Sequence, residues 1–255
     1  MSGYHFGKVI EYPDGSYDIC AASKQVFCET KKLAKKTNKP REKREKIQAK
    51  QKDLDRARSR ARANVRRLAL CNDFKWFVTL TINPDKIDSY DVALVTKRMN
   101  QWASNQVKRK GLKYILVPEF HESGRVHYHG FFNDVLRAVP SGKTDKCGHM
   151  IFNLPEWTYG FTTAIELYGS YHAAVAYTCK YIGKNSTKIG GRWYYSGGDL
   201  VKPVEKPVDI SYHELMAMQD DEFTNEHGTG WFLATPIGLF AGINGMNKPT
   251  EGEFL

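Results

Sequence analysis

The chain has 255 residues, 41% hydrophobic and 13% aromatic, and a formal net charge of +10. That is enough to bury one ordinary core with extensions, which excludes a disordered chain. No apolar run reaches the roughly eighteen residues that a membrane span needs, and Met1 to Cys20 lacks a charged-then-apolar leader pattern. A cytoplasmic protein with no membrane partner is therefore expected.

In chain order, YHFGKVIEYPDGSYDICA reads as two short strands around a Pro-Asp-Gly turn. The basic charge comes next and is concentrated: Lys31 to Arg67 holds 17 Lys and Arg against 4 Asp and Glu, a local +13, so the rest of the chain sums to −3. This stretch reads as a Lys/Arg/Ala/Gln-rich helix from about Arg41 to Leu70, with Pro40 at its start. Its apolar residues are too sparse for a wide buried stripe, so much of it is solvated or faces a polyanion. Arg58, Arg62 and Arg66 on this arm, with Arg125 farther on, are the candidate DNA contacts.

FKWFVTLTI, residues 74 to 82, is a β-branched and aromatic run stopped by Asn83-Pro84, the pattern of a buried strand. Residues 89 to 110 read as a helix ended by Gly111. KYILVPEF and RVHYHGFFN are strands joined by the tight turn HESGR, LPEWTYG is a loop or short helix, FTTAIEL a strand, and YHAAVAYTCKYIGK a helix ending near Asn185. GRWYYSGGDL is a further strand candidate. The last fifty-one residues, from Glu205, carry nine acidic side chains and two lysines, and read as a peripheral tail. The domain plan is thus 1–70 for the N-terminal strands and basic arm, 71–204 for a catalytic α+β domain with an antiparallel hairpin at its centre, and 205–255 for the acidic segment.

Side chains alternate along a strand, so His127 and His129 share one face and Tyr128 takes the other. If HESGR is the loop, Phe120 pairs with Val126 and Glu119 falls across from His127, about 4.5 to 5.5 Å away between Cβ atoms. Two imidazoles and a carboxylate on one face are a donor set for a divalent cation. Five dispersed cysteines without a C-x-x-C pair fit reduced thiols better than a disulfide framework or a zinc-thiolate site. Cys147 and His149 could share a metal, though such a pair is more often loop or buried filler.

In YTCKYIGK, at about 100° per residue, Val175, Cys179 and Ile182 fall on one side of the helix and Tyr177, Lys180, Tyr181 and Lys184 on the other. Two readings fit that second face: tyrosines covering a surface beside snorkelling lysines, or a nucleophile pair whose phenolates the lysines favour.

FVTLT, the HYH of residues 127–129, and Y-x-x-x-Y-x-x-K resemble, in order and spacing, the three motifs of HUH endonucleases. They look most like the rolling-circle replication initiators of small single-stranded DNA phages and related plasmids or prophages, over Phe74 to Lys184. The resemblance implies a ferredoxin-like antiparallel sheet, with His127 and His129 as ligands to Mg²⁺ or Mn²⁺ and Glu119 as the third. It implies Tyr177 and Tyr181 as nucleophiles that nick and rejoin single-stranded origin DNA through a 5′-phosphotyrosine, with Lys180 and Lys184 steadying phosphate charge or the phenolate. The setting it implies is the cytoplasm of a bacterial host. No G-x-x-x-x-G-K-S/T motif is present, because Arg137 occupies the position its first glycine requires before Gly142-Lys143-Thr144; unwinding and synthesis would fall to a host helicase and polymerase. Other readings are an HUH transposase or relaxase, a non-haem iron oxygenase, and a non-catalytic DNA-binding module.

Overall fold

The computed structural model describes residues 7–21, 43–169, 171–184, 187–208, 223–224 and 230–232. Among these are twelve strands and three helices, an α+β protein built on antiparallel pairing. The described residues fall into two compact units, those of 47–202 and those of 1–46 with 203–246.

The larger unit holds a seven-stranded antiparallel sheet in the order β6-β7-β8-β3-β5-β4-β9. Its centre is β3 (Trp76–Thr81) between β8 (Thr162–Glu166) and β5 (Val126–Phe132), and β5 pairs in turn with β4 (Tyr114–Phe120). β6 (Val139–Thr144) and β7 (Met150–Asn153) extend one side, and β9 (Tyr195–Gly197) closes the other. Alternation sorts the central strands into two faces. Trp76, Val78 and Leu80 of β3, with Leu116, Tyr128 and Phe132, pack against Val95, Met99 and Trp102 of α2 (Val92–Lys110) in one apolar core. α2 starts at an N-cap, Asp91, whose carboxylate accepts from Leu94 N, and stops at Gly111 in the left-handed region, φ 70°, as its sequence signals require.

The opposite sheet face carries Phe77, Thr79, Glu119, His127, His129 and Phe131, and α3 (Tyr171–Lys184) lies over it. α1 (Lys43–Leu70) packs against α3 in turn: Tyr171 donates to the carbonyls of Ala69 and Asn72 at 2.8 and 2.9 Å, and Cys179 Sγ reaches Arg62 O at 3.6 Å. The seat of α1 is a narrow stripe at i, i+4 spacing: Ala61, Val65 and Ala69 are buried while Arg62 between them is exposed. From Ile47 onward α1 therefore belongs with the sheet, not with the N-terminal strands as the boundary at residue 70 had it. Pro40 and the basic residues 31–42 lie outside the described residues.

The smaller unit is a five-stranded antiparallel sheet, β10-β1-β2-β12-β11. β1 (Gly7–Glu11) and β2 (Tyr17–Ala21) flank the expected turn, where Gly15 takes φ 83°. The segment after residue 204 is not a peripheral tail: β10 (Val204–Val208) pairs with β1, and β12 (Gly230–Phe232) joins β2 to β11 (Phe223–Thr224). Its charges are used across the pairing, in Lys8–Glu205 at 2.9 Å and Lys206–Glu11 at 2.6 Å.

Gly130 shows how tightly the central strands approach. A Cβ there would fall 1.9 Å from the carbonyl oxygen of Ile115, inside the β4–β5 ladder, whereas Gly183 on α3 has nothing within 4 Å. Gly130→Ala is expected to lower unfolding stability by about 3 kcal/mol, and Gly183→Ala to raise it by about 0.5 kcal/mol. Urea unfolding of the two variants measures both.

Candidate active site

The β4–β5 hairpin builds the site. Its loop is 121–125, closed by His121 N to Arg125 O at 2.8 Å and Gly124 N to His121 O at 2.7 Å, with Gly124 at φ 82°. The register pairs Phe120 with Val126, Glu119 with His127 and Val117 with His129. From its place opposite His127 the Glu119 carboxylate reaches diagonally: Oε2 lies 3.0 Å from His129 Nε2, and Oε1 lies 3.1 Å from Lys184 Nζ. β3 supplies the other partner of that imidazole, for Thr79 pairs with His129 and its Oγ1 lies 3.1 Å from Nδ1. A neutral ring that satisfies both neighbours carries its proton on Nε2 and accepts from the Thr79 hydroxyl at Nδ1.

Burial would raise the Glu119 carboxyl, but its contacts with His129 and Lys184 outweigh this and hold it below the ordinary value. His127 is lowered, first by burial and then by His129 and His121, so it stays a neutral imidazole. His121 stacks on His127 with ring centroids 5.0 Å apart, and His127 is 6.4 Å from His129.

α3 adds the tyrosines. The Tyr181 ring lies flat on His129, 4.3 Å between centroids and 8° from parallel, and its hydroxyl donates to Tyr177 Oη at 2.9 Å. Tyr177 packs edge-on to Phe77 of β3. Lys184 Nζ sits 4.9 Å from the centre of the Tyr181 ring and Lys180 Nζ 5.6 Å from that of Tyr177. One sequence expectation is corrected here: the tyrosine side of α3 is not a solvated face. Tyr181 is 3% exposed, because α3 is clamped between the sheet and α1 and is buried on two sides. Nor do the lysines favour its phenolate. Burial first, then the hydrogen bond to Tyr177 and the charge of Glu119, push the Tyr181 phenol well above its ordinary value.

The arginines are placed as follows. Arg58, Arg62 and Arg66 form an i, i+4 row one residue round from the buried stripe of α1. Arg58 is paired with Asp55 at 2.7 Å, while Arg62 is exposed. Arg125 is half-buried at the hairpin turn, its guanidinium 5.9 Å from the centre of the Tyr90 ring. Thr79 and His121 went unassigned by sequence reasoning. The signal for Thr79 was its place inside FVTLT, two residues along from Phe77 on the same face, but only the β3–β5 register shows which histidine it meets.

Two imidazoles, a carboxylate, two tyrosines and two lysines thus converge on one face of an antiparallel sheet, the side-chain set of a phosphoryl-transfer site. Residues 75–186 match the sequence profile of a family of replication-associated proteins, the ORF2 type, which supports a role in initiating replication. No curated protein and no solved structure matches the chain.

Thr79→Val would leave the buried Nδ1 of His129 without a donor. It is expected to cost about 1–2 kcal/mol in urea unfolding, with Thr79→Ser close to wild type. The His129 ring ¹⁵N shifts should report a changed tautomer balance in the valine variant alone.

Proposed function

We propose that the protein is a rolling-circle replication initiator of the HUH endonuclease type, which nicks and rejoins single-stranded DNA through a tyrosine. The observation that carries this reading is the stacking of Tyr181 on His129, which sets the tyrosine pair directly over the histidine-carboxylate cluster. The match of residues 75–186 to replication-associated proteins supports it independently.

The donor set fits a divalent cation. His127 is held neutral, Glu119 is held ionised, and the far nitrogen of His129 is fixed by Thr79, the kind of outer hydrogen bond that usually orients a ligating imidazole. His127, His129 and Glu119 would hold Mg²⁺ or Mn²⁺, whose bound charge would polarise the scissile phosphate and favour its attack by a weak nucleophile.

The chain's own residues do the rest. A phenol oxygen of Tyr177 or Tyr181 attacks the scissile phosphorus, forming a 5′-phosphotyrosine and releasing a 3′-hydroxyl. Because the phenols are protonated, attack needs a proton to leave, and the Tyr181-to-Tyr177 hydrogen bond gives the buried hydroxyl a route toward the half-exposed one. Lys184 and Lys180 place two ammonium groups beside the phosphate as charge develops. The phosphotyrosine keeps the energy of the diester, so a free 3′-hydroxyl can reverse the step and join ends. Two tyrosines allow one to hold a 5′ end while the other cuts again. The substrate is single-stranded origin DNA, with unwinding and synthesis supplied by a helicase and polymerase of a bacterial host.

The test is incubation with a pool of single-stranded oligonucleotides and Mn²⁺, then a search for a protein–DNA adduct on a denaturing gel. His127→Ala and His129→Ala are expected to abolish the adduct while leaving the fold. Tyr177→Phe and Tyr181→Phe should each keep part of it, Tyr181→Phe the larger share because it retains the more accessible hydroxyl, and the double variant none. DNA binding without any metal-dependent adduct would make the protein a non-catalytic binding module.

The arm calls for a separate measurement. Deleting it would strip Ala61, Val65 and Ala69 from the packing of α1, so charge removal is the cleaner probe. Arg62→Gln with Arg66→Gln should flatten the salt dependence of single-strand binding by about 0.7 for every phosphate that the protein no longer neutralises. An unchanged slope would assign the row to solubility.

A further inference from the structure

On another part of the sheet, the hairpin of β6 and β7 turns through Asp145-Lys146-Cys147-Gly148-His149. The turn is closed by Asp145 N to His149 O at 2.8 Å and Gly148 N to Asp145 O at 3.1 Å, with Gly148 at φ 87°. Asp145 Oδ1 accepts from the backbone of Cys147 and His149 at 2.9 and 2.8 Å, and that oxygen alone accounts for the turn. Three groups are then left over that the turn does not need: Asp145 Oδ2, the Cys147 thiol and the His149 imidazole. One ligand atom from each lies within 4.8 Å of the other two, a convergence found nowhere else among the described residues.

The details favour a ligand. The Asp145 side chain is 1% exposed, and its Oδ2 lies 3.3 Å from His149 Nδ1 and takes the Tyr168 hydroxyl at 3.1 Å. His149 Nδ1 is shut off from solvent and makes no hydrogen bond, an orphaned polar atom aimed at a buried carboxylate. The imidazole is held in that aim by Tyr168, which stacks on it with centroids 3.4 Å apart and 15° from parallel. The Cys147 thiol is free and exposed.

We infer that Asp145, Cys147 and His149 form a Zn²⁺ site that pins the β6–β7 turn, separate from the proposed nuclease centre and independent of it. A thiolate with an imidazole and a carboxylate selects a thiophilic ion, unlike the sulfur-free set of His127, His129 and Glu119. With zinc bonds of about 2.0 to 2.3 Å, ligand atoms of a tetrahedral site lie about 3.3 to 3.8 Å apart, so closing this set takes shifts of about an ångström. Binding releases the Cys147 thiol proton to solvent and gives Nδ1 the partner it lacks. The fourth position, on the exposed Cys147 side, takes water.

The test is titration of the chelator-stripped full chain with Co²⁺, followed by Zn²⁺. A thiolate-to-cobalt charge-transfer band should grow to one equivalent and be displaced by Zn²⁺. Cys147→Ser should remove it. Asp145→Asn, whose amide oxygen still closes the turn, and His149→Gln should weaken Co²⁺ binding by more than about tenfold. The His127→Ala/His129→Ala double variant should keep the band. Zn²⁺ should also protect Cys147 from alkylation in the wild-type protein, read by mass spectrometry, so the result does not hang on the variants folding. No band in the wild type, a band that survives Cys147→Ser, or alkylation of Cys147 unchanged by Zn²⁺ would overturn the site.

Discussion

A slip of β4 against β5 by one residue would turn Glu119 away from both histidines, because side chains alternate with a period of two. Every contact of the candidate active site depends on that register. It is secured from both sides of the sheet. On the core side, Leu116, Tyr128 and Phe132 are buried and would each meet solvent or a charged face if the strands slid. Within the ladder, Gly130 admits the Ile115 carbonyl so closely that a residue with a side chain could not take its place. The five-residue loop with Gly124 in the left-handed region then fixes where Glu119 starts its reach.

The face opposite the core is neither a conventional apolar layer nor an open cleft. Phe74, Phe77 and Phe131 make one end of it aromatic, and Tyr171 and Tyr177 of α3 pack onto that end. At the other end the aromatic stack passes through Tyr181 to His129, so the same helix that seals the layer delivers phenols to the histidine cluster. Lys184 closes this arrangement: its ammonium is shared between the Glu119 carboxylate and the Tyr181 ring. Glu119 thus divides its two oxygens between a neutral imidazole and a cation, and a metal ion entering at His129 would compete with Lys184 for the same carboxylate.

Much of this arrangement could be read from local signals. The Asn83-Pro84 stop, the cap at Gly111 and the glycine in HESGR each act through nearest neighbours, and so did the register that placed Glu119 across from His127. What was not legible depended on distant partners. Helical periodicity separates Tyr177 and Tyr181 from Val175 and Cys179, but it cannot say that both sides are covered, one by the sheet and one by α1. β6 and β7 escaped notice because VPSGKT is polar and lies mostly exposed at the sheet's edge, with no apolar alternation to betray it. β10 was hidden for a related reason: VEKPV looks like tail sequence, and its Pro207 is tolerated because the strand is an edge whose only neighbour is β1.

The burial of Tyr181 reshapes the chemistry of the proposed reaction more than the lysines do. A phenol raised by desolvation resists ionisation in the resting protein, which protects the site from idle attack when no phosphate is present. Lysines over the ring faces stabilise the aromatic system but stand away from the oxygens where charge must develop. Activation therefore has to come with the substrate, as a phosphate and its counter-charge change the surroundings of the hydroxyls. On that view the Tyr177–Tyr181 hydrogen bond couples the two nucleophiles: when one oxygen becomes esterified it can no longer donate, and the other gains an acceptor in place of a competitor. Alternation between the tyrosines then follows from the geometry of one helical turn, without a further moving part.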